Sequence, residues 1–236
     1  MAPAKRSSRR TADRRRPRAT RSRRLRIVIT AGPTREYLDA VRFLSNPSSG
    51  KMGYAIAEAA LQAGHRVTLI SGPVALEPLR GARTIRVTTA AEMAAAAKRA
   101  FRSADAAILT AAVCDYRPRV RAARKLAKTP RPKSVVLVPT EDIAAALGRI
   151  KGHRVTIAFA METHAARRHA EAKMVAKRCD AIVLNGPENV GSDRARVQFL
   201  VRGGVWQRWP AATKRQISAR LIEALSELLD RCGHAE

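Results

Sequence analysis

Aromatic residues are scarce in this chain: four Phe, three Tyr and two Trp make up 4% of 236 residues. Its core must therefore be built mainly from Ala, Val, Ile and Leu, and bases have few rings to stack on. Acidic residues are also few, 19 Asp and Glu against 46 Lys and Arg, for a formal charge of +27. Cysteine occurs three times, at Cys114, Cys179 and Cys232, without a C-x-x-C pair. That usage predicts free thiols in a reducing compartment, the cytoplasm. No apolar run approaches the ~18 residues of a membrane span. No apolar h-region stands near the start, so no secretory signal is expected.

The charge is uneven. Residues 1–24 hold eleven Lys or Arg and one Asp, +10, leaving +17 for the other 212 residues. They contain no Leu, Ile, Val or Phe, so nothing there buries an apolar face, and a disordered basic tail is expected. Its composition is that of an organellar transit peptide without the apolar stripe. Any nucleic-acid affinity should be non-specific and confined to this tail.

Residues 25–236 read as a single α/β domain. Leu25–Thr30 predicts a strand, followed by a turn over Ala31–Glu36. A helix follows to about Gln62, with Met52, Ile56, Ala59, Ala60 and Ala63 on one face and Gly64 as its stop. Val67–Ile70, Thr84–Val87 and Ala106–Leu109 predict strands, and Thr89 with Glu92 forms a capping box for an Ala-rich helix. Residues 111–134 break the rhythm, and the Arg, Lys and Pro crowded over about 117–134 predict a basic flap. Val135–Val138 reads as a strand, and Thr140 or Asp142 caps a helix to Leu147. Val155–Phe159 and Ala181–Leu184 are strands around a basic helix over 164–178. Val197–Val201 and Val205–Trp209 predict a hairpin, and Ile217–Leu229 an amphipathic helix. The alternation implies a three-layer, Rossmann-like α/β fold with a mainly parallel sheet and a C-terminal antiparallel hairpin.

The stretch Ser45-Asn46-Pro47-Ser48-Ser49-Gly50-Lys51-Met52-Gly53 stands out. Pro47 and the small polar residues predict a loop opening a helix near Ser49 or Gly50, whose first N–H groups form an anion site. Gly50 and Gly53 leave no Cβ in the path of a phosphate. An ordinary capped loop is the equal alternative on spacing alone, since neither a Walker A loop nor G-x-G-x-x-G is present. Other unusual segments fall at predicted strand ends: Gly32-Pro33-Thr34, Ala111 to Asp115, Phe159 to Thr163 and Asn185-Gly186. In an open parallel sheet these meet on one rim, where ligands collect.

Ile29 to Glu36, Val41 to Gly53, Ala111 to Pro118 and Phe159 to Thr163 together resemble the phosphopantothenoylcysteine synthetase family, collinearly from about Leu25 to Leu229. The resemblance implies a ligase of coenzyme A biosynthesis, in free-standing form, with a separate decarboxylase as partner. It implies activation of 4′-phosphopantothenate by CTP, or ATP, with Mg²⁺, and then attack by the amino group of L-cysteine. By resemblance Asn46 contacts the acyl intermediate, its amide N–H serving an oxyanion, and flap Lys125 contacts the triphosphate. Gly32, Ser48, Gly50 and Gly53 are nucleotide positions, as are Ala111, Asp115, Asp142, Ile143, Phe159, Lys173, Lys177 and Asn185. Ala111, Ala112 and Asp115 also form a substrate loop. Arg42 reaches the substrate of a neighbouring subunit, so a homodimer with a shared active site is implied. The metal ligands are not identified.

Each residue has a plainer reading. Asn46 is a turn former, Asp115 a turn cap, Phe159 a core ring, and Lys125, Arg42 and the Lys173–Lys177 pair solvated cations. Cys114, Gly186 and Arg194-Ala195 depart from the family pattern, and only Asp142 and Ile143 remain of its Asn-Pro-Asp-Ile turn. Two rival classes are weaker. A nicotinamide-dependent reductase wants glycine spacing that Gly32-Pro33-Thr34 lacks. A nucleic-acid-binding module wants aromatics within its basic surface.

Overall fold

The computed structural model describes residues 24–233. The tail expected over residues 1–24 therefore lies, apart from Arg24, outside the described residues. β1 (Arg26–Ala31) alternates its side chains between two faces of the sheet, and both faces are buried. Two short strands, β2 (Arg35–Tyr37) and β3 (Phe43–Ser45), pair with each other beside the main sheet. α1 (Lys51–Gln62) returns the chain to β4 (Arg66–Ser71), and β5 (Arg83–Arg86) follows.

α2 (Ala90–Phe101) starts at the expected capping box: Glu92 N donates to Thr89 Oγ1 at 3.2 Å, and Thr89 N to Glu92 Oε2 at 3.2 Å. β6 (Ala106–Leu109) follows, then a pair outside the main sheet, β7 (Tyr116–Pro118) with β8 (Leu137–Pro139). α3 (Ile143–Ile150) is capped by Asp142, whose Oδ1 accepts from Ala145 N at 3.0 Å. β9 (Val155–Met161), α4 (Ala166–Ala176) and β10 (Ala181–Asn185) complete the parallel part. β11 (Arg194–Val201) and β12 (Gln207–Thr213) form the antiparallel edge, and α5 (Lys214–Gly233) ends the described chain.

The main sheet runs β12-β11-β10-β9-β6-β1-β4-β5. On one face Ile27 and Ile29 pack with Ile56 and Ala60 of α1 and Leu221 and Leu225 of α5. On the other, Val28 packs with Met93 and Phe101 of α2 and Leu147 of α3, while Ala170 and Met174 of α4 cover β9 and β10. This is the expected three-layer arrangement. Cys114 and Cys179 are free and buried, and no helix among the described residues is long and apolar enough to cross a membrane.

Among the boundaries that differ from the sequence reading, three are set by strand pairing. The turn expected over Ala31–Glu36 stops at Thr34, because Arg35 pairs with Ser45 in β2 and β3. The strand expected at Val135 begins at Leu137, where pairing with Pro118 starts. The final hairpin turns over residues 202–206, so its second strand starts at Gln207 rather than Val205. In each case a cross-strand partner sets the limit, and local propensity does not reveal the partner.

Candidate functional site

From β1 the chain proceeds outward through β4 and β5, then returns to place β6 on the other flank of β1. The order thus reverses between β1 and β6, and a crevice opens beyond the carboxyl ends of those strands. A cavity of about 350 Å³ lies there, lined by Asn46 to Gly53, Thr110 to Ala112, Asp115, Phe159, Asn185 and Lys214, among others. The strand ends and the helix start therefore meet, as the sequence predicts.

The wall between β6 and β7 is held by backbone and hydroxyl contacts. Thr110 Oγ1 donates to Thr30 O at 2.6 Å, Ala112 N to Gly32 O at 2.9 Å, and Cys114 N to Thr34 Oγ1 at 3.0 Å. Asn46 is tied to the same wall: its Nδ2 donates to Ala112 O and to Val113 O, both at 3.1 Å. Only an NH₂ group can serve two carbonyl acceptors, so the amide orientation is fixed by its partners. Asn46 Oδ1 has no hydrogen-bond partner among the described residues. The expectation placed an Asn46 N–H on an oxyanion. Both hydrogens are committed to Ala112 and Val113, and the atom left for a ligand is an acceptor.

α1 opens onto the cavity without a side-chain cap, its N-cap Gly50 lying in the left-handed region at φ 75°. The N–H groups of the first turn are thus left to solvent or to a ligand, the condition for anion binding. Gly53 has a different reason for being glycine. A Cβ there would stand 2.5 Å from Ala31 Cβ and 2.6 Å from Thr110 Oγ1, so its absence lets α1 approach the sheet. That close packing, not phosphate access alone, requires the residue.

Two cations that sequence reasoning did not single out also line the cavity, Lys51 and Lys214. Lys51 Nζ lies 2.6 Å from Asp193 Oδ1 and donates to Gly191 O at 3.2 Å. Lys214 is buried, and its Nζ donates to Asn189 O at 3.2 Å and to Ser192 O. Burial, with the neighbouring Lys51 charge second, pushes the Lys214 ammonium below its ordinary pKa, whereas the Lys51 contact holds the Asp193 carboxyl below its own. Lys51 thus ties the 189–193 loop to the α1 entrance, and Lys214 ties it to the start of α5. No local motif marks Lys214, which lies far along the chain.

A second cavity of about 210 Å³ shares Ala111, Asp115 and Phe159 with the first and adds Asp142, Ile143, Lys173 and Lys177. Lys177 lies 3.1 Å from Asp142, and Lys173 lies 2.5 Å from Glu162. The expected lysine pair therefore faces the cavity with each ammonium already matched to a carboxylate. Ile143 is also a buried core residue.

Three expected residues line neither cavity. Gly32 sits behind the loop, at φ 76°. Arg42 is bound elsewhere, its Nε and Nη2 donating to Asp39 Oδ2 at 2.9 and 2.5 Å and its Nη2 to Leu126 O at 2.8 Å. Asp39 is buried, and the backbone and guanidinium donors of Arg42, then the N–H of Val41, hold its carboxyl well below the usual range. Lys125 lies next to the Leu126 anchor on the flap. Among the described residues no group of three His, Cys, Asp or Glu is arranged to hold a metal.

Residues 22–229 match the DNA/pantothenate metabolism flavoprotein C-terminal domain family. The chain is 39% identical over 212 residues to the coenzyme A biosynthesis bifunctional protein CoaBC of Bacillus subtilis, covering 88% of this chain and 52% of that protein. It spans about half the length of the curated relatives it matches. The crystal structure of the C-terminal domain of a CoaBC protein superposes with a TM-score of 0.78 at 35% identity, over 90% of this chain and all (100%) of that one. A Cab2 mutant in complex with phosphopantothenate-cysteine shares the fold at 17% identity, with a TM-score of 0.71 over 89% of this chain and 88% of that one.

Proposed function

The chain belongs to the DNA/pantothenate metabolism flavoprotein C-terminal domain family, that of the phosphopantothenoylcysteine synthetases, and we propose that it joins 4′-phosphopantothenate to L-cysteine at the expense of CTP. The observation that carries this reading is the crevice between β1 and β6, where an uncapped helix start, two lysines and the Asn46 amide line one cavity.

In the first step a carboxylate oxygen of phosphopantothenate attacks the α-phosphorus of the nucleotide. A P–O bond forms, the bond to the β-phosphate bridge breaks, and pyrophosphate leaves with its electron pair. The N–H groups of the α1 entrance, Lys51 and Lys214 suit the phosphates, and Asp115, Phe159 and Asn185 suit the nucleoside side. A Mg²⁺ ion would arrive on the triphosphate and neutralise its charge, with Asp115 as the carboxylate on the cavity wall.

In the second step the cysteine nitrogen attacks the acyl carbon, a C–N bond forms, and the C–O bond to the nucleoside monophosphate breaks. The proton that the amine loses passes to solvent water. Asn46 Oδ1 accepts an N–H of the incoming amine and points its lone pair at the acyl carbon, a positioning contribution that involves no change of charge.

Arg42 acts on the site of a second copy, and Lys125 of the flap contacts the triphosphate. Arg42 binds Asp39 and Leu126 in its own chain instead of its own cavity, and its chain neighbours Val41 and Phe43 and its contact Leu126 are exposed apolar residues. Such a patch on a monomer suits an interface.

The test is pyrophosphate release and product mass with phosphopantothenate, run with CTP or ATP and with or without cysteine. Cysteine-dependent product with CTP is expected. No cysteine-dependent product with either nucleotide would overturn the ligase reading.

A further inference from the structure

At the opposite end of the sheet, the amino ends of β1, β4 and β5 meet the carboxyl ends of α1 and α2 around a cleft of about 660 Å³. Arg24, Arg26, Arg66, Arg80 and Arg83 line it, all exposed, and no Asp or Glu does. Arg26 Nε lies 3.5 Å from Asp105. The other four arginines form no ion pair among the described residues. Helix carboxyl ends attract cations, but two such ends supply roughly −0.5 each. They offset about one of four guanidiniums and leave about three positive charges converging on one concavity.

His65 adds a donor. It is buried, lines the same cleft, and accepts from Leu25 N through Nδ1 at 3.4 Å. That contact puts the proton of the neutral ring on Nε2, which meets no acceptor among the described residues. Thr68 and Ser103 contribute hydroxyls. The lining contains no Phe, Tyr or Trp, so nothing stacks on a base.

We propose that this cleft binds a small anion bearing two or more phosphate groups, recognised through its phosphates alone, at a site separate from the crevice between β1 and β6. Planar guanidinium forks match phosphate oxygens in pairs, which is the chemistry these arginines offer. The proposal does not depend on the ligase reading.

The test uses the isotopically labelled full chain and follows backbone amides by NMR while inorganic pyrophosphate or tripolyphosphate is added at physiological salt. Gly64 and Gly81 report the cleft, and Gly50 and Gly53 report the crevice. Saturable shifts at Gly64 and Gly81 are expected, tighter for tripolyphosphate. In the triple variant Arg66→Ser, Arg80→Ser, Arg83→Ser the cleft affinity should weaken about tenfold or more, the loss of at least one charge-assisted hydrogen bond. Shifts at Gly50 and Gly53 should persist there, which also reports that the variant is folded. Unmoved Gly64 and Gly81 amides, or saturable shifts there that survive in the triple variant, would overturn the proposal.

Discussion

The side-chain amide of Asn46 spends both of its hydrogens on the carbonyl oxygens of Ala112 and Val113. A residue of the helix-opening loop is thereby locked to the segment that follows β6, 66 positions further along the chain. Its oxygen is left as the atom that a substrate can meet.

Asn46→Asp replaces the two donors by an oxygen that faces two carbonyl acceptors. Phosphopantothenate-dependent pyrophosphate release should stay within severalfold of the parent, while product with cysteine falls on the order of 100-fold, because a side chain repelled by the two carbonyls no longer holds its oxygen where the amine arrives. Rapid-quench measurement of acyl-nucleotide and product separates the steps. Equal loss in both would assign Asn46 to the first step or to the wall itself.

Gly53→Ala places a Cβ inside contact distance of Ala31 and Thr110. Ala31 ends β1 and Thr110 directly follows β6, so α1 must shift outward. A stability loss of about 1–3 kcal/mol is expected from overpacking, read as a lower thermal midpoint. An unchanged midpoint would show that the helix moves without cost.

If Arg42 serves a second copy, two inactive variants should rescue each other. Mixtures of Arg42→Ala and Asn46→Asp, dissociated and reassociated, should recover up to about a quarter of parental activity, the share of sites built from both intact halves under random pairing. Absence of recovery in verified mixed dimers would confine Arg42 to its own chain.

Asp39 is buried and ionised by the donors around it, and its carboxyl is held below the ordinary 3.8. A depressed folded pKa stabilises the fold above the unfolded value and loses that effect as pH falls through the folded one. Asp39→Asn should therefore be less stable than the parent at neutral pH, with the gap narrowing below about pH 4. Urea unfolding at several pH values measures it, and a gap that widens on acidification would contradict the assignment.

Much of the scaffold was legible before any coordinates. The Thr89–Glu92 box, the apolar runs at Ile27–Ile29 and Ala106–Leu109, and the Ser/Pro/Gly stretch before α1 each announce themselves through local chemistry. The rim was legible as well, since ligands of an open parallel sheet collect beyond the carboxyl ends of its strands, whereas the reversal of order beside β1 came only with the fold. The short β2–β3 and β7–β8 pairs were not, because strands of three residues carry too little periodicity to signal themselves.

Sequence alone determined the alternation of strand and helix, the concentration of charge in residues 1–24 and the rim on which the expected site residues gather. Tertiary structure decided which atom Asn46 offers, why Gly53 must be glycine, and that Lys214 joins Lys51 above the 189–193 loop. It also decided that Arg42 turns to Asp39 and the flap and away from its own cavity. The division has a physical cause. Backbone preference and side-chain period act over a few residues, whereas the direction of a hydrogen bond or an ion pair depends on partners that only folding brings within 3 Å or so.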